Sequence, residues 1–317
     1  MKVVSLAELQ AAVNLEEMRD VVRASFIAAA HGRGVLPGVL HLDLGEPRGD
    51  LHVKGGWLTE QPTFAIKVTG AFAGAAAVGL PPRQGLSSAF DADTGTPIAL
   101  LLDDGWLTEM RTGAAGAAAI EHLAPSQVHT LALIGAGSQA RHQAHAALRV
   151  RSPDRVLVWA RRPDAAARLV DELQRTHGLA AHAVASAAAA VTAADVVITA
   201  TPARAPLLHA ADLPNDVLII AVGADTPGKQ ELDPTILAHP SRMIVDDRSQ
   251  CATQGELQHA IAADLLTADD PLVLGELLAA PASVIPGWTV VDLTGLGVQD
   301  AAAAQLSLNA LGLSPSR

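Results

Sequence analysis

The spacing of apolar residues predicts helices first and then a series of strands. Ser5 to Gln10 begins with a helix-capping residue and has Glu8 three positions later, which is the capping-box pattern; a second helix is predicted over Leu15 to Ala30. Short apolar runs bounded by Gly and Pro follow, and these are typical of strands in a mostly antiparallel sheet. The predicted strands are Val39 to Leu44, His52 to Leu58, Phe64 to Thr69, Gly85 to Asp91 and Pro97 to Leu102.

Beyond residue 128 the pattern changes to a regular alternation of strands and helices. An Ala-rich helix is predicted over Thr108 to Leu123, with Pro125 marking its end. The predicted strands after it are Thr130 to Ile134, Arg155 to Trp159, Asp195 to Thr201, Val217 to Val222, Met243 to Asp246 and Val290 to Leu293, with helices at Ser138 to Val150, Asp164 to His177 and from Gln299. This alternation indicates a parallel sheet covered on both faces, so the fold class is α/β.

Composition narrows the class of protein. At 317 residues the chain is about twice the length of a typical domain, and with 17% charged residues it is expected to be globular. The net charge of -11 and the absence of a basic tract argue against nucleic acid as a partner. The single cysteine, Cys251, has no second thiol for a disulfide or a metal site, and no metal is expected. The first 30 residues lack the apolar stretch of a signal peptide or membrane span, so we expect a cytoplasmic protein that does not bind membranes.

A glycine-rich turn connects the first predicted parallel strand to its helix. The segment Gly135-Ala136-Gly137-Ser138-Gln139-Ala140 matches the G-x-G-x-x-G/A pattern of dinucleotide-binding folds. Gly135 permits the tight turn, Gly137 lets the backbone approach a pyrophosphate, and Ala140 allows the helix to pack closely on the strand. The alternative is a glycine turn without a ligand. The strand before it and the helix after it favour a nicotinamide dinucleotide site.

The end of the second parallel strand indicates which dinucleotide binds. An acidic residue there would hydrogen-bond the adenosine ribose 2'-hydroxyl and repel a 2'-phosphate, but this chain has Ala160, Arg161 and Arg162 after Trp159. Two arginines and no acid predict NADP(H) in preference to NAD(H), with NAD(H) still able to bind. The alternative is that both arginines are ordinary solvated residues.

Several ordered segments resemble the ornithine cyclodeaminase and mu-crystallin family from end to end. Besides the turn at Gly135, they are Ala65 to Val68, Thr94 to Pro97, Leu107 to Thr112, Thr199 to Pro202, Gly223 to Asp225, Glu231 to Pro234, Val245 to Asp247, Gly255 to Glu256 and Thr294 to Asp300. Two segments, Val53 to Leu58 and Asp292 to Asp300, are more similar to the branch that includes iminosuccinate reductases and ectoine-utilisation cyclodeaminase-like proteins.

The resemblance implies a homodimer whose protomer combines an α+β substrate and dimerisation domain with a Rossmann dinucleotide-binding domain. We place the substrate domain at residues 1–122, the Rossmann domain at 123–288, and a C-terminal segment that returns to the first domain at 289–317. It also implies that Lys67 and Asp225 are catalytic and that Arg111 binds the substrate carboxylate. The predicted cofactor-binding residues are Thr112, Gly135, Ala136, Gly137, Ser138, Gln139, Ala160, Arg161, Arg162, Thr201, Val222 and Gly223.

The chemistry of these residue types agrees with those roles. The guanidinium of Arg111 can hold a carboxylate with two hydrogen bonds. Lys67 lies between Ile66 and Val68, so burial would lower its pKa and suit it to proton transfer. Asp225 follows a strand at the sheet edge where ligands bind, and could hold the amine or activate water. For any one of these residues alone, an ordinary ion pair would be the simpler interpretation.

The chain departs from the family at two positions that bear on the substrate. His41 stands where family members commonly have an arginine that binds carboxylate, and His52 stands where ornithine cyclodeaminases have a glutamate that holds the side-chain amine. Lys54 shares the predicted strand face of His52 and adds positive charge. With His41, His52 and Lys54 as substrate-binding residues, we expect a substrate without a distal amine, such as one with a second carboxylate; the alternative is that these side chains are merely solvated.

The hypothesis is therefore an enzyme that transfers hydride between NADP(H) and a small amino or imino acid, in the direction of imine reduction or its reverse. One alternative is a cyclodeaminase, which converts an amino acid to a cyclic imino acid with loss of ammonia and no net redox change. The other is a non-catalytic protein that binds a ligand in an NADP-dependent way. Retention of Lys67, Arg111 and Asp225 together favours an enzyme.

Overall fold

The computed structural model describes residues 1–72, 74–80, 83–238 and 241–315. The strands are β1 (Lys2–Ser5), β2 (Gly34–Val35), β3 (Leu40–Asp43), β4 (Gly49–Leu58), β5 (Thr63–Phe72), β6 (Arg83–Asp91), β7 (Pro97–Leu102), β8 (Thr130–Ile134), β9 (Arg155–Trp159), β10 (Ala180–Ala183), β11 (Val196–Thr199), β12 (Arg204–Leu208), β13 (Val217–Ala221), β14 (Gln230–Leu232), β15 (Arg242–Val245), β16 (Leu272–Val273) and β17 (Trp288–Asp292). The helices are α1 (Leu6–Ala12), α2 (Leu15–Ala30), α3 (Trp106–Leu123), α4 (Ser138–Val150), α5 (Pro163–His177), α6 (Ala187–Val191), α7 (Pro234–Leu237), α8 (Arg248–Gln254), α9 (Leu257–Ala262), α10 (Leu274–Ala279) and α11 (Gly297–Ala310).

The chain forms two compact units. Unit 1 comprises residues 1–114 together with residues 296–317, and unit 2 comprises residues 115–295. Unit 1 contains a sheet in the order β1-β7-β6-β5-β4-β2, with β3 paired to β4. Its pairings are antiparallel except for the parallel pair of β1 and β7. The predicted mostly antiparallel sheet is therefore confirmed, and β1 is a strand that the sequence pattern did not predict.

Helix α11 is the central element of unit 1. Its residues are buried on almost all sides against α2, β4 and β5, which explains why most of them are apolar or small and why the helix has no polar face. The helix starts where two backbones touch: a Cβ on Gly56 would lie 2.2 Å from the carbonyl carbon of Gly297, and one on Gly297 would lie 1.8 Å from the carbonyl oxygen of Gly55. Glycine at both positions lets α11 begin directly against β4.

The opposite face of this sheet is apolar and partly exposed. Leu40 and Leu42 of β3 have exposed fractions of 56% and 49%, and Ile66 of β5 has 37%. The strand register places half-buried Val53 and Leu51 beside Leu40 and Leu42 on the same face. In a single unit 1, this face therefore leaves a continuous apolar surface in contact with water.

Unit 2 is built on a parallel sheet in the order β10-β9-β8-β11-β13-β17-β15-β16. The strand pairs of this sheet are parallel in the described part of the chain, and its central strands are fully buried, as the alternating pattern predicts. The strand order reverses direction between β8 and β11, which is the topological switch point where open α/β sheets bind ligands at the carboxyl ends of their strands. Strands β12 and β14 form a separate small sheet.

Most element boundaries agree with the sequence pattern. The Ser5–Glu8 capping box is present at α1, and α2, α4 and β9 have the predicted bounds. Both domain boundaries differ: we placed the end of the first domain at residue 122, whereas unit 2 begins at Ala115, within α3. We placed the start of the C-terminal segment at residue 289, but Trp288–Asp292 is a strand that pairs with β13 and β15 inside the sheet of unit 2, and unit 1 resumes at Leu296. Among the described residues, no helix combines the length and apolar content needed to cross a bilayer.

Candidate active site

A buried cluster of opposite charges lies beneath α11 in unit 1. Lys67 Nζ donates a hydrogen bond to Asp300 Oδ1 at 3.0 Å and lies 3.0 Å from Oδ2 of the same carboxylate. Arg111 Nε donates to the same Oδ1 at 2.9 Å, and Arg111 Nη1 donates to Gln299 Oε1 at 3.0 Å. All four residues are nearly inaccessible to solvent. The structure therefore brings Lys67 and Arg111 together through two residues that sequence reasoning had not assigned.

A third cation belongs to the same face of the sheet. Lys54 of β4 lies directly opposite Lys67 of β5 in the antiparallel register, and Lys54 is 8% exposed. Like charges in directly opposite positions repel each other, and burial strengthens the repulsion. Three buried cations, Lys54, Lys67 and Arg111, thus surround the carboxylate of Asp300, and this group of four carries an excess of positive charge.

The pKa values of the cluster follow from burial and these neighbours. Burial lowers the pKa of Lys67 to about 7; the positive charges of Arg111 and Lys54 add to this effect, and Asp300 opposes it. For Asp300, burial alone would raise the pKa, but the charges of Arg111 and Lys67 outweigh it and the pKa of this carboxyl is lowered. At neutral pH the cluster therefore contains an ionised carboxylate beside a lysine able to gain or lose a proton.

His52 lies further along β4 and His41 lies opposite it on β3, and both contact Asp50. His52 Nε2 is 3.1 Å and His41 Nε2 is 3.3 Å from Oδ2 of Asp50. The two imidazole rings are stacked, with centroids 4.4 Å apart. Burial of Asp50 would raise its pKa, but the hydrogen bonds and charges of the two histidines lower it. Sequence reasoning predicted both histidines as substrate-binding residues and missed the carboxylate between them.

In unit 2 the glycine turn has the local geometry that a dinucleotide needs. Gly135 has φ of +122°, and a Cβ there would lie 2.5 Å from the carbonyl oxygen of Ala200. A Cβ on Gly137 would meet no atom within 4 Å, so the space in front of this residue is open. Helix α4 begins at Ser138 without a side-chain cap, so its first amide groups are available to an anion. Gln139 Nε2 is buried and has no hydrogen-bond partner among the described residues. These residues fit a nucleotide pyrophosphate.

The residues after β9 are accessible to solvent. Arg161 and Arg162 are exposed, and Ala160 is half-buried. The nearby acid, Asp164, forms an ion pair with Arg168 at 2.8 Å. Two arginines therefore follow this strand end, as the sequence indicates.

A buried glutamate joins the ends of β11 and β13. Glu231 accepts hydrogen bonds from Thr199 Oγ1 at 2.7 Å, from the amide of Thr201 at 2.7 Å and from the amide of Gly223 at 2.8 Å. Burial raises the pKa of Glu231 against these hydrogen bonds. A Cβ on Gly223 would lie 2.4 Å from the Glu231 carboxyl carbon, so only glycine fits there. Glu231 thus fixes two of the predicted cofactor-binding residues, Thr201 and Gly223, and Val222 lies buried beside them.

Two other predicted residues have local partners. Asp225 Oδ1 accepts a hydrogen bond from Lys229 Nζ at 2.5 Å, and the Asp225 side chain remains 38% exposed. Thr112 Oγ1 donates to the carbonyl oxygen of Thr108 one helical turn earlier. Asp225 belongs to unit 2, whereas Lys67 and Arg111 belong to unit 1.

The residues that sequence reasoning missed are polar side chains in apolar surroundings. Gln299 and Asp300 interrupt a helix of alanines, and Glu231 precedes buried Leu232. A charged residue inside an apolar helix is rarely buried without a partner, and that signal was available for Asp300. Its partners, however, lie 233 and 189 positions away along the chain, so they could not be identified from local pattern.

The parallel sheet with its switch-point turn, together with the buried Lys–Asp–Arg cluster, defines an NAD(P)-dependent enzyme with a Rossmann domain and a second, α+β domain. The chain belongs to the ornithine cyclodeaminase/mu-crystallin family, whose model matches residues 1–310. The predicted fold class and family resemblance are therefore confirmed.

Individual relatives agree with this assignment. An uncharacterized cyclodeaminase of Sinorhizobium fredii is 37% identical, covering 97% of this chain and 95% of the relative. The iminosuccinate reductase of Paracoccus denitrificans is 33% identical over 96% of this chain and 95% of the relative; its structure in complex with NAD+ superposes with a TM-score of 0.91, at 32% identity, covering 99% and 98% of the two chains. An archaeal alanine dehydrogenase dimer with bound NAD has a TM-score of 0.90 at 28% identity, covering 99% and 98%.

The three hydrogen bonds of Glu231 lead to a prediction about stability. Glu231→Ala leaves three donors without a partner, and each buried unsatisfied group costs about 1–3 kcal/mol, so we expect the free energy of unfolding to fall by about 3 kcal/mol or more. Glu231→Gln retains the size and one acceptor oxygen and is expected to lose less. Urea denaturation measures both variants beside Glu276→Ala, which removes an exposed carboxylate. Equal stability of Glu231→Ala and the Glu276→Ala control would contradict the bridging role of Glu231.

Proposed function

We propose that the protein reduces a small 2-imino acid to the amino acid with NADPH, and catalyses the reverse oxidation of that amino acid. The observation that carries this proposal is the buried cluster of Lys67, Arg111 and Asp300, in which one cation can bind a carboxylate while another transfers a proton. The relationship to an iminosuccinate reductase and an alanine dehydrogenase supports the same class of reaction.

In this proposal each residue of unit 1 has a distinct task. Arg111, held by Asp300 and Gln299, presents its guanidinium to the substrate carboxylate. Lys67, protonated below its pKa of about 7, donates a proton to the imine nitrogen. Asp300 keeps both cations in place and offers Oδ2 to an N–H of the substrate. Bound NAD(P)H would supply the hydride to the imine carbon.

The residues of unit 2 would hold the cofactor. The amide groups that open α4 and the turn at Gly135 and Gly137 would bind the pyrophosphate. Asp225, which lies beyond the end of β13 and is paired with Lys229, is proposed as a catalytic residue, as the family resemblance implies. Thr201 and Gly223, fixed by Glu231, complete the proposed nucleotide site.

The excess of cations favours a substrate with a second carboxylate. Lys54 adds a positive charge beside Lys67 that the first carboxylate does not require, and Asp50, an acid on the same face of the sheet, already contacts two histidines. A dicarboxylic imino acid, such as the imine of oxaloacetate, therefore fits this set of charges better than ornithine does. Lys54 is the residue that we propose holds the distal carboxylate.

The direct test is consumption of NADPH by 2-oxo acids mixed with ammonia. We expect turnover with the purified protein, fastest with oxaloacetate and slower with pyruvate and glyoxylate, and a loss of at least about 100-fold in Lys67→Met because the proton donor is removed. NADPH binding, followed by fluorescence, should remain in this variant, and Lys2→Met serves as the exposed-lysine control. Release of ammonia from ornithine without net NADPH change would instead indicate a cyclodeaminase, and undiminished turnover in Lys67→Met would remove Lys67 from the mechanism.

The pKa of Lys67 predicts how the reaction depends on pH. Because the protonated form is the proton donor, kcat/KM for reduction should be level at low pH and fall about tenfold per pH unit above a pKa of about 7. Lys54→Met removes a neighbouring cation that lowers this pKa, so the descending limb should move to higher pH. Profiles measured on wild type, Lys54→Met and Lys2→Met test this. A limb that stays in place or moves to lower pH in Lys54→Met would contradict the proposed coupling.

We propose that the preferred cofactor is NADP(H). Arg161 and Arg162 are exposed after β9, and the turn there has no acid to repel a 2'-phosphate. The NAD-bound structures of two relatives show that this family also uses the non-phosphorylated cofactor. We expect kcat/KM to be higher for NADPH than for NADH, and the ratio to fall at least about tenfold in the Arg161→Ala/Arg162→Ala double variant because charge-assisted bonds to phosphate are lost. A preference for NADH in the wild type would refute this proposal.

We propose that two copies associate through the apolar sheet face of unit 1. The exposed side chains of Leu40, Leu42 and Ile66 are better explained by burial against a second copy than by contact with water, and one solved relative is described as a dimer. The Leu40→Lys/Leu42→Lys variant should be monomeric by light scattering coupled to gel filtration, while Val3→Lys, at a 51% exposed position on β1, should remain dimeric. A dimer in both variants would place the interface elsewhere.

A further inference from the structure

The hairpin of β3 and β4 places two histidines and a carboxylate on one face. Asp50 and His52 are two residues apart on β4 and so point to the same side of the strand, and His41 lies directly opposite His52 on β3. The side chains of His41, Asp50 and His52 are 39%, 36% and 20% exposed, so solvent and small ions can reach them. The hydride-transfer proposal above does not use this group.

The distances in the group are those of metal ligands. One atom of each residue lies within 4.8 Å of the others, and the two Nε2 atoms are 3.1 and 3.3 Å from the same carboxylate oxygen. Bonds of about 2.0–2.2 Å to a tetrahedral ion place neighbouring nitrogen and oxygen ligands about 3.3–3.6 Å apart. An ion could therefore bind to these three side chains with no movement of the two strands.

We propose that His41, Asp50 and His52 bind a divalent transition-metal ion such as Zn²⁺ through two imidazole nitrogens and one carboxylate oxygen. Imidazole and carboxylate ligands suit ions of this class, and three protein ligands leave a position that water or a substrate carboxylate can occupy. The site differs from the substrate-binding role that the sequence suggested for the two histidines, because here they act on a metal ion.

The charges around the hairpin support cation binding. Asp43 lies directly opposite Asp50 in the strand register, so two carboxylates occupy adjacent positions, and a bound cation would relieve their repulsion. Lys54, two residues beyond His52, opposes binding by its positive charge.

The ring orientation sets one requirement on binding. The two imidazole planes are within 15° of parallel and are stacked, so an ion cannot lie in both planes at once. One ring must turn about its Cβ–Cγ bond, a torsion with a broad energy minimum. His41 has the greater exposure and the room to make this turn.

Co²⁺ is the probe for the test, because its visible absorption reports nitrogen and oxygen coordination independently of catalytic activity. Wild-type protein, titrated near neutral pH after treatment with a chelator, should bind one equivalent with the spectrum of imidazole coordination, and Zn²⁺ should displace it. His41→Ala, Asp50→Asn and His52→Ala should each weaken binding by at least about tenfold. Circular dichroism confirms that each variant is folded.

Two control variants make the outcome decisive. His129→Ala removes an exposed histidine whose ring contacts Asp154, and His145→Ala disrupts a separate group with His177 and Glu172 in unit 2. Both should bind Co²⁺ as the wild type does. Absence of Co²⁺ binding by the wild type, or equal binding by the His41→Ala and His52→Ala variants, would overturn the proposal. Neither result bears on NADPH turnover, so the reductase proposal is tested separately.

Discussion

Unit 1 depends on the ion pairs that the carboxylate of Asp300 forms with buried cations. Lys54 and Lys67 occupy directly opposite positions on neighbouring strands and Arg111 approaches from α3, so three cations are buried within one region. Asp300 pairs directly with two of them. Removing one partner of a buried ion pair typically costs about 3–5 kcal/mol, because the remaining charge is left desolvated. The fold of unit 1 and the charge of its site therefore rest on the same side chain.

That carboxylate reaches its position only because α11 lies close to the sheet. The backbone contact between Gly56 and Gly297 allows the helix to start against β4, and Asp300 follows three residues after Gly297. Alanines along the helix keep the distance to β4 and β5 short. A larger residue at either glycine would displace the start of the helix. The apolar composition of the C-terminal segment is therefore a condition for the polar cluster beneath it.

The same burial gives Lys67 its chemical character. A solvated lysine would hold its proton far too tightly to exchange it with an imine near neutral pH, whereas desolvation and two neighbouring cations bring its pKa to about 7. Asp300 limits this shift and keeps part of the population protonated. A site with fewer cations would make a weaker acid, and a site without Asp300 would leave the lysine neutral. The balance of charges, more than any one residue, sets the proton affinity.

The sequence predicts the functional elements of unit 2 better than the site of unit 1, and the difference has a physical reason. In unit 2 the first parallel strand, the turn at Gly135 and the helix after it occupy the continuous segment 130–150, so the strand, turn and helix signals lie side by side in the sequence. In unit 1 the site joins β4, β5, α3 and α11, and the hydrogen bonds to Asp300 span 189 and 233 positions. Local periodicity predicts each of those elements but contains no information on which side chains meet. Lys67 and Arg111 came from a family resemblance, which reports such long-range contacts indirectly.

The expected domain boundary at residue 289 is a second case in which local sequence pattern does not identify long-range neighbours. The apolar stretch at Trp288–Asp292 is equally compatible with a strand of either sheet, because alternation and hydrophobicity do not identify a strand's neighbours. The position of this strand between β13 and β15 buries Asp292, and burial raises the pKa of Asp292 to about 7. The Asp292 carboxyl group accepts a hydrogen bond from the amide of Leu257. A carboxyl group in the middle of an apolar sheet is costly unless backbone donors satisfy it. The first residue of α9 supplies such a donor, so the strand belongs to the sheet that can accommodate its polar residue.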